Sequence, residues 1–255
     1  MIYRRATMKK TRLLIMILTA AMIFAFPLSG CSKQNESEEP ADAAAETETE
    51  AEAETEEGSV IDYMVLVNQS NQLPDGWEEA LETTTITNSV GDEVYVESKA
   101  YEAYCKLKEA VEKDLEGYDK GEVRLELDSA YRSVAAQQKI VEDFTEKYGE
   151  DYVKKYVAVP GYSEHHTGLA LDLYFTIDGK DVYENEDLVQ YPDIWEAIHA
   201  RLPEFGFILR YPETGEKVTG YAYEPWHIRY LDSPEIAKEI TDKGITFEEY
   251  LESTK

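Results

Sequence analysis

Between Ser32 and Gly58 the chain offers no large apolar side chain at all, only Glu, Asp, Thr, Ala, Ser, Gln, Asn, one Lys and one Pro ahead of the glycine. Such a stretch cannot bury enough surface to offset the entropy of ordering it. With eleven acidic side chains against Lys33, residues 31–58 repel themselves and are expected to form an extended tether. Any packed core must therefore come from residues 59–255, where most of the 19 Tyr, 7 Phe and 3 Trp lie. That length suits one well-cored domain.

The segment before the tether has the opposite character. Arg4, Arg5, Lys9, Lys10 and Arg12 precede an apolar run from Leu13 to Phe26. Fourteen residues are short for a membrane span, which needs roughly 20, but suit the apolar part of an export signal. The signal reading holds equally if Met8 is the first residue. The run ends in Leu28-Ser-Gly-Cys31, which resembles a bacterial lipobox. That resemblance implies that residues 1–30 are removed and that Cys31 is acylated, anchoring an extracytoplasmic protein to the membrane. A plain secretory signal, or an N-terminal anchor, beside an incidental cysteine is the alternative. After Cys31 only Cys105 remains, so the mature chain forms no internal disulfide, and Cys105 reads as a small core residue on a helix. The net charge is −28 and no basic patch interrupts the acidity, which excludes a nucleic-acid partner.

Within the domain, periodicity predicts a strand over 62–68, a turn at Leu73-Pro-Asp-Gly76 and a helix over about 97–117. A strand follows at 123–127, then a helix over 134–148 with Ile140, Val141 and Phe144 on one side. Next come a strand from Gly168 to Phe175 and a helix over 192–204. Strands at 206–211 and 221–230, with a turn at Pro212-Glu-Thr-Gly215, precede a C-terminal helix over 233–253. Strands joined by turns, with helices alongside, predict an α+β fold: one antiparallel sheet flanked by helices, in one domain over 59–255.

Two of the four histidines stand in unusual surroundings. In Ser163-Glu-His-His-Thr-Gly-Leu-Ala-Leu-Asp172, the leucines from Leu169 onward alternate with Ala170, Asp172 and Tyr174. Asp172 is a charge inside an apolar strand, so it needs a partner, and a cation is one candidate. A structural ion pair with Arg132 or Arg229 is another. Gly168 lets the chain turn so that His165 returns toward Asp172. In Tyr223-Glu-Pro-Trp-His-Ile-Arg-Tyr230, Glu224 and His227 fall on opposite faces of a straight strand. Pro225 marks an edge or bulge able to bring both into one cleft. Two histidines and a carboxylate suit tetrahedral Zn²⁺ with one open position, and a further carboxylate suits a general base. His199, in Trp195-Glu-Ala-Ile-His-Ala-Arg, reads as a solvated or supporting helix residue.

Ser-x-His-x-x-Gly-x-Ala-x-Asp, followed about fifty residues later by Glu-x-Trp-His, resembles the zinc D-alanyl-D-alanine carboxypeptidase family of VanY type, which includes LdcB-like L,D-carboxypeptidases. Val65-Leu-Val-Asn68 with Leu73-Pro74, Ser129-Ala-Tyr-Arg-Ser133 and Gly206-Phe-Ile-Leu-Arg-Tyr-Pro212 agree, so the similarity spans about residues 60–235. It implies one Zn²⁺ held by His165, Asp172 and His227, with Glu224 as the base that activates water and returns a proton to the leaving amine. It further implies that Arg132 faces the substrate and that Gln137 and Ser163 help hold the peptide. His166 stands where relatives often carry glutamine and is not counted as a ligand. The implied partner is a peptidoglycan stem peptide losing its terminal D-alanine, acted on by a tethered monomer. The alternatives are removal of the last residue of a tetrapeptide stem, or a non-catalytic wall-binding lipoprotein.

Overall fold

The computed structural model describes residues 61–151, 153 and 157–255. The leader, Cys31 and the acidic tether lie outside them. After a single helical turn at Trp77–Ala80 comes a hairpin of β1 (Thr83–Thr87) and β2 (Glu93–Glu97), followed by helix α1 (Ser98–Asp114). The main sheet is wholly antiparallel. Its strands are β3 (Val123–Ser129), β4 (Ala170–Ile177), β5 (Lys180–Val182), β6 (Phe207–Leu209) and β7 (His227–Tyr230), in the order β3-β4-β7-β6, with β5 also pairing to β4. Helices α2 (Val134–Tyr148), α3 (Pro192–Arg201), α4 (Pro234–Lys243) and α5 (Phe247–Ser253) complete the long elements. This is the α+β arrangement expected. Among the described residues, no helix is long and apolar enough to cross a membrane.

Strand β4 is central and buried at every residue. Leu169, Leu171, Leu173 and Phe175 join α1 and α3 in the main core through Leu107, Val111, Ile194, Trp195 and Ile198. The opposite face is also covered. There the turn of the β1–β2 hairpin sends Asn88 to the Leu127 carbonyl and Ser89 to the Tyr174 hydroxyl. Asp172 therefore has no water-facing side to retreat to. A smaller cluster of Ile208, Leu231, Ala237, Ile240, Phe247 and Tyr250 fixes α4 and α5 against β6.

Four expectations are corrected. Residues 62–68 form no strand beyond an isolated bridge of Asn68 to Asn71, because no strand among the described residues pairs with them. Their carbonyls at Tyr63 and Val65 instead accept from the buried Arg229 guanidinium. The segment 221–230 is strand only from His227, since Glu224 to His227 closes a tight turn through the His227 N–H and the Glu224 carbonyl, 3.2 Å apart. Pro225 occupies the second place of that turn, where its fixed φ is favourable. The C-terminal helix is two helices, separated at Gly244, whose φ of 60° ends the first. On α2 the fully buried residue is Gln137, whereas Ile140, Val141 and Phe144 are only half-buried. The β1–β2 hairpin was not anticipated, because its threonine-rich first strand lacks a strong apolar alternation.

Gly168 joins the turn carrying His165 to β4 with φ 71°, and a Cβ there would come within 3.1 Å of Leu81. A left-handed conformation costs a non-glycine residue about 1–2 kcal/mol, before that crowding is added. Gly168→Ala is expected to lower unfolding free energy by at least this amount, read from urea denaturation of the chelated protein.

Candidate metal centre and active site

The register of β4 against β7 pairs Asp172 directly with His227, and that of β3 against β4 pairs Ser129 with Asp172. Directly opposed residues in an antiparallel pair bring their Cβ atoms to about 5 Å. Asp172 Oδ1 and His227 Nδ1 are thus 3.0 Å apart. The third member arrives differently. Residues Glu164–Thr167 form one buried turn of 3₁₀ helix, closed by Thr167 Oγ1 donating to the Glu164 carbonyl at 2.7 Å and ended by Gly168. That reversal puts His165 Nε2 3.3 Å from Asp172 Oδ2. Among the described residues, one donor atom each from His165, Asp172 and His227 falls within 4.8 Å of the others.

The far nitrogen of each imidazole is also held. His165 Nδ1 lies 2.8 Å from the Ala130 carbonyl and must donate to it, which assigns the free lone pair to Nε2, facing Asp172. His227 Nε2 lies 3.1 Å from Glu164 Oε2. Two imidazoles and a carboxylate, each imidazole oriented from behind by an oxygen, form a donor set suited to zinc.

Charge follows from this packing. Burial alone would raise the Asp172 carboxyl, but the two imidazoles overcome it and hold the group well below the usual carboxylate range. Burial holds His165 below its ordinary value, with Asp172 opposing. For His227 burial also favours the neutral form. Its hydrogen bonds with Asp172 and Glu164 win, and its pKa rises to about 9.

Glu224 is half-buried one turn before His227. Its N–H donates to the Tyr211 carbonyl, and the Tyr211 ring packs on His227 with centroids 4.7 Å apart. Burial raises the Tyr211 and Tyr221 phenols, and the negative charge of Glu224 adds to both. The turn is braced from behind by His199 Nε2, 2.9 Å from the Pro225 carbonyl, so His199 supports the loop rather than facing solvent.

Arg132 reaches the same region from the loop after β3. Its N–H donates to the His165 carbonyl at 3.0 Å, and its Nη1 donates to Gln137 Oε1 at 3.0 Å. Gln137 Nε2 donates in turn to the Ala158 carbonyl at 2.8 Å. Gln137 thus orients Arg132, while its neighbour Gln138 is exposed and bonds Glu142. Ser163 is buried at the start of the 3₁₀ turn. His166 accepts from the Gly161 N–H at Nε2 and bonds the Arg132 carbonyl through Nδ1, so it braces rather than joins the metal cluster.

Behind the cluster lies a layer of Glu164, Arg210 and Arg229, with side chains no more than 1% exposed. Sequence reasoning missed Glu164 and Arg210 and offered Arg229 as a partner of Asp172, whereas it pairs with Glu164. Glu164 Oε1 accepts from Arg210 Nε at 2.7 Å and from Arg229 Nη1 at 2.9 Å. The available signal was two arginines in largely apolar strand stretches, Arg210 and Arg229, with Arg229 two residues beyond His227 and so on the same strand face.

The family model VanY, D-alanyl-D-alanine carboxypeptidase, matches residues 93–233, more than half of the chain. The chain belongs to the VanY family. YodJ of Bacillus subtilis (strain 168) is 35% identical over 196 residues, covering 75% of this chain and 68% of that protein. Among solved structures, the vancomycin-resistance D,D-pentapeptidase VanY in complex with Zn(II) is 29% identical, with TM-score 0.58 over 74% of this chain and 98% of the other. The LdcB LD-carboxypeptidase is 31% identical, with TM-score 0.58 over 73% of this chain and 84% of the other. This VanY-family protein is a zinc metallopeptidase by family and carries a cluster able to hold that metal.

A metal ion held by His227 would have to displace a proton from a side chain that stays charged up to about pH 9. Apparent zinc affinity is therefore expected to rise about tenfold per pH unit between 7 and 9. Calorimetry in buffers of differing ionisation enthalpy should register about one proton released per zinc.

Proposed function

We propose that this VanY-family protein is an extracytoplasmic, membrane-tethered carboxypeptidase that removes the C-terminal D-alanine from peptidoglycan stem peptides. The observation that carries the proposal is the convergence of His165, Asp172 and His227 with Glu224 one turn away and Arg132 bonded to the His165 backbone. Those three side chains would hold the metal. Zinc bound there would supply Lewis acidity, polarising the scissile carbonyl and lowering the pKa of water enough for it to act as a nucleophile near neutral pH.

The chain's own groups do the rest. Glu224 takes the proton from the attacking water and returns it to the departing amine of D-alanine. The Arg132 fork, its rotation fixed by Gln137, pairs with the terminal carboxylate of the peptide or with the oxyanion of the tetrahedral intermediate. Gln137 acts through Arg132, and Ser163 holds the peptide near the 3₁₀ turn. Lipid on Cys31 and the acidic tether keep the domain at the membrane but clear of its surface.

A second reading, an L,D-carboxypeptidase acting on tetrapeptide stems, is favoured by the likeness to LdcB, whose TM-score equals that of VanY. The zinc-loaded protein, given pentapeptide and tetrapeptide stems in parallel, should release D-alanine from the pentapeptide, and chelation should stop it. Release from the tetrapeptide alone would favour the second reading. No release from either, with zinc bound, would overturn both.

Glu224→Ala should lower kcat by at least about 10²-fold while zinc stays bound. Arg132→Lys should raise KM about tenfold, the equivalent of one charged hydrogen bond. Cys31→Ser should move the protein out of the membrane fraction, which fractionation and fatty-acid labelling would record.

A further inference from the structure

Behind the metal cluster, Glu164 links the side chain of one proposed ligand to the C-terminal helix. Its Oε2 faces His227 Nε2 at 3.1 Å, while its Oε1 accepts from both buried guanidiniums. Arg210 continues outward through a bidentate pair with Glu248 on α5, Nη1 to Oε2 at 2.9 Å and Nη2 to Oε1 at 2.6 Å. Arg229 is tied down separately, donating to the carbonyls of Tyr63, Val65 and Tyr230. With both guanidiniums on Oε1, the free lone pairs of Oε2 point at the imidazole.

A carboxylate beside a ring nitrogen accepts its hydrogen and so leaves the other nitrogen as the donor atom. Here the other nitrogen is Nδ1, on the Asp172 side. Asp172 Oδ1, 3.0 Å from Nδ1, could accept the hydrogen of that nitrogen instead, but Asp172 is itself one of the three side chains proposed to hold the metal, which leaves Glu164 to keep the hydrogen on Nε2. The stacked Tyr211 ring restrains the plane of the imidazole without distinguishing its two nitrogens.

We propose that Glu164, held by Arg210 and Glu248, is a positioning residue that fixes His227 as an Nδ1 metal donor, so that α5 contributes to zinc affinity from outside the site. The inference rests on His227 being a zinc ligand, as in the functional reading above. Glu248 is more than eighty residues from Glu164 in sequence, yet its charge reaches the centre through two salt links. The competing interpretation is that the four charges only stabilise the fold.

The test is zinc affinity of the full chain, measured by competition with a chromophoric chelator, together with long-range ¹H–¹⁵N spectra of labelled histidines. In the unaltered, zinc-loaded protein the His227 signals should show a protonated Nε2 and a metal-bound Nδ1. Coordination through Nε2 would overturn the proposal without any variant. Glu164→Gln should weaken zinc binding about 10- to 100-fold and change the His227 pattern. Unchanged affinity and an unchanged pattern, beside a lowered melting temperature, would mean a purely structural role. If Glu164→Gln fails to fold, Glu248→Gln removes the outer charge instead and should weaken zinc binding severalfold; unchanged affinity there would remove α5 from the proposal. Failure of the unaltered protein to bind zinc would defeat the functional reading itself, a separate outcome.

Discussion

An ionised carboxylate in the middle of a strand buried on both faces is the constraint around which this domain is arranged. Left alone, a buried charge costs several kcal/mol even after the surroundings relax. Asp172 is answered by two imidazoles, and each is delivered by a different device. His227 comes across the antiparallel ladder, directly opposite. His165 comes back through a single 3₁₀ turn and a left-handed glycine. The short β7, the proline turn before it and the irregular segment at 62–68 all take the shapes that allow these partners to meet.

Sign alternates outward from Asp172. A carboxylate meets an imidazole, which meets the carboxylate of Glu164, then the guanidinium of Arg210, then Glu248 near the surface. No member of the series faces a like charge as its nearest hydrogen-bonding neighbour. Burial and the guanidiniums pull Glu164 in opposite directions, and the guanidiniums prevail, holding it well below the usual carboxylate range. Ion pairs so fully desolvated are strongly destabilising when one partner alone is removed. The interior of this half of the molecule is therefore specified by polarity as much as by shape.

The amphipathic elements were legible because their periods are long and regular. Helices α1, α2 and α3 and strands β3 and β4 follow directly from spacing. The ends of the chain's shorter strands were not, since Pro225 and the carbonyls of Tyr63 and Val65 obey tertiary partners rather than local pattern. For the site, spacing marked His165, Asp172, Glu224 and His227 as chemically odd, and the family resemblance supplied their roles. Glu164 escaped notice because an acidic residue beside two histidines reads as an ordinary polar turn. Its burial depends on Arg210 and Arg229, which are brought to it only by folding. Gln137 and Gln138 illustrate the same limit: one step along a helix separates a fully buried brace from a solvent-facing side chain.

Ser129, Asp172 and His227 are direct partners across three adjoining strands, so the spacing between the two donors Asp172 and His227 is the interstrand spacing itself, about 4.8 Å. Distances set this way are indifferent to what connects the strands. Within the excursion from β4 to β7, the stretches that carry none of the supports at His199, Arg210 or β6, such as the Asp178-Gly179 turn, are free to change without moving these two donors. Loops of that kind can vary in sequence while the geometry of Asp172 and His227 stays constant.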